Sequence, residues 1–252
     1  MGAAPADTCL DPRHPGRHAG LFPGPRVIRV TPLAQRVLAI VVVAAVVSGL
    51  IAVYITALMS SPKAVASPTS GGKERSVRLT LQTVGAIGPR FGGNPDWVSY
   101  MVKDRSGKWL HSTVFTLPAH TLVHVTIYQF DTSTGLRNPF FARPQGTIGN
   151  VMNVDGKRYE VIDPDATSHT FAVPQLGLTV PLPGVADNAK NQCTAAPCTL
   201  ANAHRKITFS FRTGAPGRLR WQCFVPCAAG FITGFGGPMQ RLGYMDGFLD
   251  VV

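Results

Sequence analysis

Charge is scarce in this chain. Only 15% of its 252 residues are Asp, Glu, Lys or Arg, and no more than 13 are acidic, whereas 26 Gly and 21 Pro are present. That balance argues against a helical protein and for a turn-rich β protein with room for one sizeable domain plus appendages. The net charge is +11, yet the basic residues are thinly spread, with no basic helix and no basic stretch interleaved with aromatics. Nucleic acid is therefore not an expected partner; anionic lipid or an acidic redox partner suits the charge better. Enzyme signatures are missing as well: the chain has no Gly-x-Ser-x-Gly elbow, no Gly-x-x-x-x-Gly-Lys and no His-Glu-x-x-His. "GFGG" at 234–237 has no strand–helix unit around it, and Asp163 and Asp165 flank Pro164, where capping a turn is their expected role. Catalysis by this chain alone is not expected, and no internal repeat is found.

One apolar run stands apart. Val37 to Met59, "VLAIVVVAAVVSGLIAVYITALM", is 23 residues without a charge, long enough to cross about 30 Å of hydrocarbon as a helix. A secretory signal has a shorter apolar core and a shorter leader than the 36 residues found here, although "AVA" at 64–66 resembles a cleavage site and keeps release as a second reading. Arg26, Arg29 and Arg36 before the span favour a cytoplasmic N-terminus; Lys63, Lys73, Arg75 and Arg78 after it make the bias modest. The cysteines add to it. Cys9 stands alone before the span, while Cys193, Cys198, Cys223 and Cys227 form two close pairs after it, as suits an oxidising compartment or a metal. The expectation is a single-pass cell-membrane protein with a disordered basic tail over 1–36, in which His14 and His18 are solvated, a span over 37–59, a polar linker over 60–75 and an extracytoplasmic domain over 76–252.

Within that domain, "SVRLTLQTV", "TLVHVTIYQF" and "HRKITFSFRTG" alternate apolar and polar residues with the period of half-buried strands, placing Val77, Leu79 and Leu81, Val123, Val125 and Ile127, and Ile207, Phe209 and Phe211 inward. Gln82 and His124 fall on the outer faces. About seven such strands argue a β-sandwich or barrel. The long segment from Asp131 to Asp165 is expected to hold a hairpin turned at Asp155-Gly156. Cys193 and Cys198 flank a short Pro-containing loop without a nearby histidine, and a local disulfide is expected.

Three pieces occur in order: "LPAHTLVHVTI" at 117–127, "SHTFAVPQLGL" at 168–178 and "FSFRTGAPGRLRWQCFVPC" at 209–227. This order resembles the extracytoplasmic copper domain of cytochrome c oxidase subunit II, over roughly residues 110–252. The resemblance implies an all-β, Greek-key β-sandwich of cupredoxin-like fold after one N-terminal transmembrane helix. It implies copper ligands at His169, Cys223 and Cys227 and at the Val225 carbonyl. The sequence departs from the family where a second histidine and a methionine would stand, at Phe231 and Gly234, so a two-copper centre is not expected to assemble. The family's second transmembrane helix is not found either.

Two thiolates and one imidazole form a soft donor set suited to Cu(I) or a mononuclear copper, with Met239 or Met245 as a weak axial ligand. Against this stand a Cys223–Cys227 disulfide, free thiols, and the ordinary use of both methionines as core filler. His111, His120, His124 and His204 lack a ligand context. The leading expectation is copper binding or one-electron transfer at the outer membrane surface, beside a redox or respiratory protein partner. The rival is a metal-free, disulfide-pinned scaffold that binds such a partner.

Overall fold

The computed structural model describes residues 31–59, 63–66, 69–70, 76–91, 93–227 and 237–252. The leader up to residue 30, with Cys9, His14 and His18, and the substituted positions Phe231 and Gly234 lie outside these residues. The chain divides into two compact units, Met1–Leu50 and Ile51–Val252.

Helix α1 runs over Pro32–Met59. It begins before the apolar run because Thr31 and Pro32 form a start signal: the Thr31 hydroxyl accepts from Ala34 N at 3.3 Å, and proline occupies the first helical position. Its 28 residues reach about 42 Å at 1.5 Å per residue. Thr56 returns its hydroxyl to the Ala52 carbonyl at 3.0 Å, which hides a polar group along an apolar rod. Apolar side chains are exposed all round it, with Leu38 at 61% and Leu50 at 66%. By length and composition this helix could cross a membrane.

The described strands form two sheets. The first contains β1 (Val65–Ala66), β6 (Val114–Leu117), β14 (Asp246–Val251), β13 (Gly217–Gln222), β10 (Thr167–Val173) and β11 (Leu178–Pro183), adjacent in that order. The second runs β5 (Trp109–Leu110), β4 (Ser99–Lys103), β3 (Ser76–Val84), β7 (Leu122–Gln129), β12 (Arg205–Arg212), β8 (Met152–Val154) and β9 (Lys157–Tyr159), with β2 (Thr69–Ser70) on β3. The chain crosses repeatedly between the sheets, which gives parallel pairs β3–β7 and β6–β14 beside antiparallel neighbours. The fold class is the expected all-β sandwich behind one apolar helix. The segment expected as a linker supplies the short strands β1 and β2.

The inward residues read from alternation are buried, and they meet Phe115, Phe171, Trp221 and Leu249 of the facing sheet in one core. Trp221 is its hub. Its ring lies 4.7 Å from Tyr100 and 5.3 Å from Phe171, and its indole N–H donates to the Thr113 carbonyl at 2.9 Å. That carbonyl also accepts from Phe248 N at 3.0 Å, and Gly247 lies directly against it.

Gln82 corrects the sequence reading, since it is fully buried. The Cys193–Cys198 loop covers its face of β3, and the Gln82 side-chain oxygen accepts from Cys198 N at 3.0 Å. Cys193 and Cys198 are joined in the expected disulfide, with a Cα separation of 5.8 Å. The β8–β9 hairpin turns at Asp155 and Gly156, at φ of 53° and 84°, and Asp163 caps the short turn after it by accepting from Asp165 N.

Candidate metal centre

His169 sits on β10, a strand buried at all seven positions because β11 and β13 flank it and both faces are covered. A register shift between Thr167 and His169 sets the histidine opposite Leu182. On the other side Ala172 pairs with Gln222, the last residue of β13. That pairing delivers Cys223 to Thr170. Thr170 N points at Cys223 Sγ at 3.3 Å, its hydroxyl accepts from Phe224 N at 2.7 Å, and Cys223 N donates to the Met245 carbonyl at 2.9 Å. The turn closes as Cys227 N donates to the Val225 carbonyl at 2.8 Å.

Three donor atoms converge as a result. His169, Cys223 and Cys227 are all buried, with their donor atoms within 4.8 Å of one another. His169 Nδ1 lies 2.9 Å from Cys227 Sγ and 4.0 Å from Cys223 Sγ, and the sulfurs are 3.3 Å apart. Both cysteines are free thiols, so the disulfide of the rival reading is not formed here. The Val225 carbonyl lies 3.6 Å from Cys223 Sγ. Met239 lies on α2 (Gly237–Gln240), half-buried against the core to which both cysteines belong. Met245 is wholly buried in that core.

The sequence reading missed Asp131. Its Oδ2 lies 3.0 Å from His169 Nε2, and this bond fixes the ring with Nδ1 towards the sulfurs. Asp131 opens the long 131–165 segment, and nothing near it in sequence marks it; only the fold brings it to a histidine 38 positions away. The same segment lays Phe140 against Phe224, with ring centroids 6.1 Å apart. The segment thus supplies both the partner of His169 and a ring beside the Cys223–Cys227 turn.

The electrostatics are those of a compact charge cluster. Burial by itself depresses His169, but the bond to Asp131 and the Cys223 sulfur overcome it and hold the imidazole up to about 9. Burial also opposes charge at Cys223; the bonds from Cys227 and His169, with the imidazolium charge, outweigh it and bring this thiol well below its ordinary value. Cys227 moves the other way, through its bond to Cys223 and its burial. Asp131 stays low, because the His169 bond and charge exceed its burial penalty. Tyr100, raised by burial and then by both sulfurs, remains a phenol and donates to the Thr170 carbonyl at 2.8 Å.

The other described histidines lie apart from this group. His124 is exposed and bonded to Ser210 at 2.9 Å, His120 is exposed at φ 50°, His204 packs on Tyr128 and Phe130, and His111 packs on Phe91 and Tyr244.

No protein-family model matches the chain, and no curated protein matches it. Among solved structures the chain is similar to reduced rusticyanin, with 18% identity over 77% of this chain and 87% of that one at a TM-score of 0.32. It is similar to rusticyanin from Thiobacillus ferrooxidans, with 16% identity over 78% and 86% at 0.31, and to a multicopper oxidase, with 13% over 73% and 45% at 0.30. Likenesses at this level decide neither function nor ligand set. The sandwich rests on its own strand pairing.

Proposed function

We propose that this chain is a membrane-anchored, cupredoxin-like protein, related to cytochrome c oxidase subunit II, that binds one copper ion and passes single electrons at the outer membrane surface. The observation that carries this reading is the convergence of His169, Cys223 and Cys227 on one buried point, with Nδ1 turned to the sulfurs by Asp131. The donor set fits the metal: two sulfurs and one imidazole are soft ligands of the kind that suit copper. His169, Cys223 and Cys227 would hold it, with Met239 as a weak axial ligand. Copper, when bound, supplies a one-electron couple.

The chain's own residues would do the rest. Asp131 keeps the imidazole oriented, Thr170 fastens the Cys223–Phe224 turn, and the core around Trp221 excludes water. Phe224 follows Cys223 and is 37% exposed, which supports exchange with a redox or respiratory protein partner at that point. Three ligand side chains do not provide a terminal imidazole for each of two coppers, so the site is read as mononuclear. Helix α1 would be the anchor, with its N-terminus cytoplasmic and the sandwich outside. Copper titration of the Cys227→Ser variant tests the assignment: affinity should fall at least about tenfold with a thiolate gone, and unchanged affinity would remove Cys227 from the ligand set.

A further inference from the structure

A cleft of about 1060 Å³ opens in the sandwich outside the metal centre. Four exposed cations line it: Lys63, Arg90, Arg105 and Lys108. The one carboxylate among its lining residues, Asp104, is occupied with its own turn, where Oδ1 accepts from Ser106 N at 2.9 Å, Ser106 Oγ at 2.7 Å and Lys108 N at 2.8 Å. The half-buried rings of Phe91 and Trp109 also line it.

The place of this cleft along the chain tells what it can meet. Lys63 follows the last residue of α1 by four positions, so at about 3.5 Å per residue it cannot lie more than about 14 Å from the helix end. It is also stitched to the sandwich at once. The Ser112 hydroxyl donates to the Lys63 carbonyl at 2.5 Å, and Val65 and Ala66 pair in parallel with Phe115 and Thr116. A domain fastened this close to its anchor has no long leash on which to turn its cationic rim away. Cations within a screening length or two of a bilayer are drawn to lipid phosphates, and a tryptophan such as Trp109 favours the headgroup level.

We infer that this cleft docks the sandwich onto the phosphate-bearing headgroups of an anionic bilayer surface. The inference rests on reading α1 as a membrane anchor. Docking would hold the domain in one orientation, presenting its metal centre consistently to a partner in the same membrane.

The test uses the full chain in vesicles carrying a dansyl headgroup label, with energy transfer from tryptophan as the readout. Trp97 and Trp221 are buried in the sandwich, whereas Trp109 lines the cleft. Transfer should be about twofold higher in vesicles with roughly one-third phosphatidylglycerol than in pure phosphatidylcholine, and the difference should vanish near 1 M salt, where the screening length falls to about 3 Å. The combined Arg90→Glu, Arg105→Glu and Lys108→Glu variant should behave in anionic vesicles as the parent does in neutral ones. Equal transfer in both lipids, or a difference that survives high salt, would overturn the docking. The salt series on the parent chain decides this even if the variant does not fold. An alkaline carbonate wash separates the two readings: release from the vesicles would sink the anchor, whereas retention without lipid or salt dependence would sink the docking alone.

Discussion

Gly247→Ala is expected to be among the most damaging single-methyl additions to this sandwich. A Cβ at Gly247 would stand 1.9 Å from the Thr113 carbonyl oxygen and 2.7 Å from its carbon, and no side chain can yield there, because the obstacle is backbone. To reach ordinary contact β14 must separate from Thr113 by well over an ångström, which breaks the bonds that carbonyl accepts from Phe248 N and the Trp221 indole. A net loss of about 1 kcal/mol per bond, with an unsatisfied indole and local overpacking in addition, amounts to about 3 to 5 kcal/mol. At about 2 to 4 °C per kcal/mol for a domain of this size, the midpoint should fall by about 10 °C. Thermal unfolding of the full chain in detergent, followed by near-ultraviolet dichroism of the tryptophans, reads both the shift and the disturbed Trp221. The control lies on the same strand pair: Gly217 faces Val251, and a Cβ there meets nothing within 4 Å, so Gly217→Ala should be neutral or stabilising by up to about 1 kcal/mol. If the two variants shift the midpoint alike, the close approach that fixes Trp221, and through β13 positions Cys223, is not as described.

Other perturbations separate the remaining claims. Burial raises the Asp246 pKa in spite of Arg220, so the folded chain holds this proton to higher pH than the unfolded one, and stability declines as pH rises from the ordinary carboxylate value through the raised one. Asp246→Asn should remove that decline; pairwise unfolding at acid and neutral pH should favour the variant more at neutral pH, and an unchanged slope would refute the assignment. Replacing Cys193 and Cys198 by serine opens a small loop and should cost about 2 kcal/mol, read as a lower denaturant midpoint that equals that of the reduced parent; a variant as stable as the oxidised parent would contradict it. Met239→Leu should leave copper content unchanged while shifting the visible spectrum, and an identical spectrum would return Met239 to core filler.

The sequence made strands with one covered face readable. β7 and β12 alternate cleanly because one side faces the core and the other is exposed or half-buried, and His124 is found outside as its place in the pattern requires. The same rule misleads at Gln82, since the loop that covers its face arrives from more than a hundred residues later. His169, Cys223 and Cys227 were legible as ligand candidates through their motifs, and the fold brings all three together. Asp131 was not, because an aspartate at a strand end is ordinary until tertiary contact sets it against the imidazole. The short strands β1 and β2 were hidden for a similar reason: two residues carry no period.

The most direct test of the account is the copper content of the purified full chain, reduced and then loaded, with the visible spectrum recorded alongside. One copper per chain, with thiolate-to-copper absorption that disappears in Cys223→Ser, is the predicted result. A chain that retains no copper while both thiols remain open to alkylation would contradict it.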